Sequence, residues 1–167
     1  YQARLVQMHY DQIVDNSPQW SASFCYPEGL IRWWARASRG GDFQLTMNKD
    51  MVQFASGIAD NFIRQVHIGQ NPTSKVLAWY GETVGFWDGD RLITWTSDVQ
   101  GWSQHTMFEY SNALETVEIY KPKMEKGKMV GIDGETVFYD PEAFVEPLRA
   151  FDYYLRAAPL SDEQHRS

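Results

Sequence analysis

Thr83-Val84-Gly85-Phe86-Trp87-Asp88-Gly89-Asp90-Arg91-Leu92-Ile93-Thr94-Trp95-Thr96-Ser97-Asp98 is the stretch whose reading decides the fold. Two runs rich in β-branched and aromatic residues, Thr83 to Trp87 and Arg91 to Asp98, flank Asp88-Gly89-Asp90. Asp-Gly between such runs predicts a tight hairpin, because glycine accepts the positive φ that the turn demands. Upstream, Phe43 to Met47 and Met51 to Ala55 read as strands around Asn48-Lys49-Asp50. Asn61 to Ile68 reads as another, closed by Gly69 to Pro72. Downstream, Ala113 to Tyr120 reads as a strand. Met129 to Ile132 and Glu135 to Tyr139 flank Asp133-Gly134 and read as a second hairpin.

Short strands punctuated in this way predict a mainly β fold: a single antiparallel β-barrel, lipocalin-like in one form, or a sandwich. Short helices are expected at both ends. At the N-terminus, Leu5, Met8 and Gln12-Ile13 fall near one face at helical spacing, so residues 2–14 read as a helix ended by Asn16-Ser17-Pro18. At the C-terminus, Leu148, Phe151 and Leu155 recur at i, i+3 and i+7, and residues 147–157 read as a helix laid on the sheet. Residues 1–158 form one β domain in this reading, and 159–167 a flexible polar tail.

The composition narrows the function classes. The formal charge is −7, and no cluster of Lys or Arg offsets it. An anionic surface would be repelled, so nucleic acid is not an expected partner. No apolar run approaches the roughly 20 residues of a transmembrane helix. Cys25 is the single cysteine, which excludes an internal disulfide and a CxxC site. The four histidines, His9, His67, His105 and His165, form no local pair of the kind that metal sites use, so no metal is expected. No phosphate or dinucleotide loop and no nucleophile elbow is present, and no cofactor is expected. Seven tryptophans, nine tyrosines and nine phenylalanines on 167 residues suit a core, a ligand pocket or a subunit interface.

The polar, aromatic-rich run from Gln100 to Tyr110 supplies the candidates for acid–base chemistry: His105, Glu109 and Tyr110. An ordinary surface loop is the competing reading. Asp88, Asp90 and Asp98 stand around the central hairpin, where carboxylates more often cap turns. Arg32 and Arg64 each lie inside an apolar or strand-like run. A buried guanidinium needs a carboxylate or an anion beside it, and Glu118 is a candidate partner. A structural ion pair and an anionic ligand are both open.

Several blocks occur in an order that resembles a large bacterial family of exported, strand-rich proteins of unknown function. They are Cys25-x-Pro27-x-Gly29-x-x-Arg32, Phe43-Gln44-Leu45, Arg64-x-x-x-x-Gly69 and the Gly85-Phe86-Trp87-Asp88-Gly89-Asp90-x-Leu92-Ile93 hairpin. Tyr110-Ser111-Asn112-Ala113-Leu114-x-x-Val117-Glu118 and Asp140-Pro141 followed by Pro147 continue the series. The family pattern has G-H-W-E-G-D-T-L at the hairpin and H-S-D-A-L-x-x-V-E-R at the later block. The resemblance spans roughly Tyr1 to Leu148. It implies an exported, periplasmic or secreted protein whose signal peptide has been removed before Tyr1. Where the family pattern has titratable groups, this chain has Phe86, Trp95, Tyr110 and Asn112. Those replacements favour binding or assembly over proton transfer.

Three functions follow. The first is a non-catalytic binding or accessory subunit presenting an aromatic-rich face or pocket. Trp33, Trp34, Trp79, Trp87, Trp95 and Trp102 would supply it, with Arg32 and Tyr110 also in contact with ligand or partner. A protein partner or a homo-oligomer fits that reading. The second is a cofactor-independent lyase, hydratase or isomerase acting on a small apolar or phenolic molecule through His105, Glu109 and Tyr110. The third is a carrier of small apolar molecules.

Overall fold

Alternation of β-branched and apolar residues with polar ones builds ten strands in the computed structural model of the chain, which describes residues 27, 29–30, 44–56, 62–103 and 109–156. In chain order they are β1 (Gln44–Met47), β2 (Met51–Ser56), β3 (Phe62–Ile68), β4 (Glu82–Asp88), β5 (Arg91–Ser97), β6 (Trp102–Ser103), β7 (Glu109–Tyr110), β8 (Glu115–Glu125), β9 (Lys128–Tyr139) and β10 (Leu148–Arg156). Eight of them form one sheet in the order β1-β2-β3-β4-β5-β8-β9-β10, and β6 pairs with β7 separately. The expected N-terminal helix over residues 2–14 and the tail 159–167 lie outside the described residues.

The central hairpin forms as its residues dictate. β4 and β5 are joined by Gly89-Asp90, and Gly89 has φ +63° at the first central position, the type II′ pattern. Asn48 closes the first hairpin by accepting from the amides of Asp50 and Met51, both at 2.8 Å.

The sheet curls. β2 and β8 are four strand spacings apart, about 19 Å in a flat sheet. The rings of Phe54 on β2 and Tyr120 on β8 nevertheless lie 5.1 Å apart, centroid to centroid. The result is a half-barrel: among the described residues, β1 and β10 are its unpaired edges. Its concave face carries Val52, Phe54, Val66, Leu92, Tyr120 and Phe138, all buried.

Three expectations need correction. The sheet is mixed rather than wholly antiparallel, because β3 and β4 run parallel from Val66↔Thr83 to Ile68↔Gly85. A parallel pair requires a crossover, here residues 69–81, which lie against Asp98 and Gln100 through backbone bonds at Ala78.

The second hairpin turns at Lys126-Gly127, where both residues have positive φ (50° and 76°), and not at Asp133-Gly134. Asp133-Gly134 lies inside β9, with Gly134 opposite Tyr120. A glycine there is part of the strand ladder and makes no turn.

The expected C-terminal helix over 147–157 is instead strand β10 across Leu148–Arg156. A bulge explains the misleading spacing. Ala150 pairs with Thr136 but Tyr153 pairs with Gly134, so β10 holds one extra residue. Leu148 and Leu155, seven apart, consequently stand opposite Phe138 and Ile132. A bulge breaks the two-residue period and imitates helical periodicity.

Candidate functional site

Two features of the interior can do chemistry: a buried ion pair and an apolar cleft beside it. Arg64 on β3 and Glu118 on β8 are 2% and 0% exposed. Arg64 Nη1 donates to Glu118 Oε2 at 2.7 Å and Nη2 to Glu118 Oε1 at 2.6 Å, a two-pronged charge-assisted contact. Its Nε donates to Thr83 Oγ1 at 3.3 Å, Nη2 also to Thr96 Oγ1 at 2.8 Å, and Nη1 also to Tyr120 Oη at 3.3 Å. These five bonds match the five donors a guanidinium possesses. Glu118 further accepts from Thr116 Oγ1 at 3.0 Å and from the Tyr120 hydroxyl.

Sheet register explains the convergence. Thr83, Thr96 and Thr116 stand in one cross-strand row, and Thr94, Glu118 and Thr136 in the next. Thr83, Thr96 and Thr116 suit both the strand and the role, since the branched body packs and the hydroxyl bonds, whereas Thr94 Oγ1 is buried with no partner among the described residues. The Arg64 guanidinium is saturated by its own network, so the structural pair is realised and the anionic ligand is not supported.

One side of this network is the floor of a cleft of about 200 Å³. Leu45, Met47, Val52, Phe54, Trp87, Leu92, Tyr120, Pro122, Met129 and Ile132 line it, and its wall is almost wholly apolar. The two charged residues that border it, Asp90 and Lys121, are exposed. Tyr120 belongs to both features: its ring lies against Phe54 in the cleft while its hydroxyl is held by Glu118 and Arg64. Met129 reaches the same face as Ile132 because of a second bulge. Lys123 pairs with Gly131 but Met124 with Met129, which leaves Val130 as the extra residue.

A second opening, about 510 Å³, lies where β3 and β4 diverge beyond their three paired positions. Ile63, Ala78, Trp79 and Tyr80 line it together with polar residues, among them Arg64, Thr83 and Glu82, which are already engaged. Glu82 accepts from the amides of Thr73 at 2.9 Å and Ser74 at 2.7 Å. Those amide bonds, Thr73 first, hold its carboxyl below the ordinary value, aided by the Thr73 hydroxyl and His67.

Among the described residues singled out in the sequence, Trp87 and Trp95 stand on opposite faces of the sheet. Trp87 lines the cleft. Trp95 pairs with Val84 on the opposite face of the sheet, where its Nε1 donates to Glu115 at 3.1 Å. Trp102 and Glu109 belong to the β6–β7 pair. Tyr110 is buried, its hydroxyl has no hydrogen-bond partner among the described residues, and burial pushes its phenol up. Arg32 and His105 lie outside the described residues. The partner of Arg64 was foreseeable from residue type and strand position, whereas the cleft had no signal, because Leu45 and Ile132 are unremarkable strand residues until the sheet curls.

The accessory-subunit reading therefore falls. The aromatic rings are dispersed over both faces of the sheet and form no aromatic-rich face or pocket among the described residues. No group of three His, Cys, Asp or Glu able to hold a metal ion is found among the described residues. No helix among them is long and apolar enough to cross a membrane. Comparison of the chain with protein-family models, curated proteins and solved structures returns no match.

Proposed function

We propose that this β domain binds a small apolar molecule in the cleft between β1 and β9. The observation that carries the reading is the apolar, methionine-edged wall of a preformed hollow about 200 Å³ in volume. An apolar cavity of roughly 150 Å³ already accepts benzene, so this one has room for a single ring or a short hydrocarbon. With no polar group to satisfy, selectivity comes from size and from transfer out of water. The Arg64–Glu118 pair supports the site by holding the Tyr120 hydroxyl and hence the ring that forms its floor.

Toluene tests the reading. At about 0.7 kcal/mol per heavy atom, inside the usual bounds for small ligands, seven atoms give roughly 5 kcal/mol and a Kd on the order of 0.2 mM. Saturable shifts of the Leu45, Leu92 and Ile132 methyl resonances are expected on titration. Met129→Asp, which places a carboxylate at the half-exposed mouth, should weaken binding at least about tenfold. Shifts that grow linearly without saturation, or that spread evenly over the sheet, would refute a defined site.

A further inference from the structure

The cleft has sulfur at two of its edges. Met47 ends β1 and is 60% exposed; Met129, turned to the cleft by the Val130 bulge, is 48% exposed. Both border the hollow, one on each side of it. A half-exposed thioether combines access to solvent with a role in an apolar wall, and methionine sulfoxide differs from methionine chiefly in being polar. We infer that Met47 and Met129 form a hydroperoxide-sensitive modification site, and that their conversion to sulfoxides closes the cleft to apolar molecules. This inference rests on the binding reading above.

The step is a two-electron oxygen transfer. The thioether sulfur attacks the outer oxygen of a hydroperoxide, the O–O bond breaks and an S–O bond forms. Sulfur is oxidised, the peroxide is reduced, and the departing oxygen takes up the proton that the transferred oxygen sheds, leaving as water or an alcohol. The product dipole then stands where the wall was apolar, and an apolar ligand must strip water from it to enter. Met124 is an internal reference. It is 57% exposed and pairs with Met129 across β8 and β9, yet does not line the cleft.

The test uses the full chain, hydrogen peroxide and toluene. Treatment continues until peptide mass spectrometry shows Met47 and Met129 each one oxygen heavier. Toluene affinity, read from the same methyl resonances, is expected to fall at least about tenfold while circular dichroism is unchanged. Reduction by methionine sulfoxide reductases of both stereospecificities should restore it. The Met47→Leu, Met129→Leu double variant, whatever its own starting affinity, should show no further loss on treatment although Met124 is oxidised.

Unchanged affinity in doubly oxidised protein would overturn the inference. So would a loss of fold on oxidation, an equal loss in the double variant, or oxidation of Met124 with Met47 and Met129 spared. Failure of the untreated protein to bind toluene would instead remove the binding reading, and the inference with it.

Discussion

Arg64 and Glu118 clasp each other across the hollow of the half-barrel from strands with two others hydrogen-bonded between them. Only a curled sheet allows it. The pair is both a product of the curvature and a constraint on it.

Removing one member strands the other in the interior. Glu118→Gln or Arg64→Met should each cost about 3–5 kcal/mol of unfolding free energy. The double variant Arg64→Met, Glu118→Leu should recover much of that loss, because no buried charge is left without a partner. Urea denaturation of the two singles and the double measures the coupling. Additive losses would show that the two side chains act independently.

Gly81 and Gly89 separate conformational strain from crowding. Both have positive φ, +64° and +63°. A Cβ at Gly81 would run into the Ser97 carbonyl oxygen and Val99 Cγ2, whereas one at Gly89 meets nothing within 4 Å. Gly89→Ala should therefore cost about 1 kcal/mol, the backbone penalty alone. Gly81→Ala should cost roughly 2–4 kcal/mol, because it adds a collision with backbone. Equal losses in thermal unfolding would count against the close approach.

Asp140 ties two connections together. It accepts from Ser111 N at 2.6 Å, Ser111 Oγ at 2.7 Å, Glu142 N at 3.1 Å and Ala143 N at 3.0 Å. Asp140→Ala leaves those donors buried or half-buried without the carboxylate and should destabilise by about 2–4 kcal/mol. Amide exchange at Ser111 and Ala143 should accelerate more than exchange in β2. Slower or unaltered exchange there would contradict the role.

The Glu82 clamp is pH-dependent in a defined direction. Its carboxyl is held below the ordinary value of 4.5, mainly by the Thr73 and Ser74 amides. A depressed folded-state pKa means that its contribution is present above the unfolded value and lost as pH falls through the folded one. The Thr73 and Ser74 amide resonances should shift together below about pH 4.5, toward the unfolded-loop position. Glu82→Gln should abolish that titration. A titration that persists in the variant would assign it to another group.

The edges of the central hairpin were legible almost to the residue, since β-branched runs around Asp-Gly leave few alternatives. Arg64 and Glu118 were also legible as partners, because a charge inside an apolar strand demands an opposite one. The second hairpin was not. Asp133-Gly134 carries the same turn dipeptide but lies inside β9, and Lys126-Gly127 turns the chain instead. Local chemistry cannot separate a glycine that turns the chain from one that continues a strand. β10 failed for a related reason: its bulge shifts alternation by one and makes strand spacing look helical.

By itself, the chain of residues determined that this would be a mainly β protein, where its central turn falls, and that a buried Arg64 would need a carboxylate or an anion beside it. Those properties depend on local backbone preference and on the cost of a buried charge, both written in residue type. Tertiary structure alone decided the parallel β3–β4 pairing, the placement of Trp87 and Trp95 on opposite faces and the cleft. Each depends on how strands far apart in sequence are ordered and how far the sheet curls, a collective outcome that no single segment encodes.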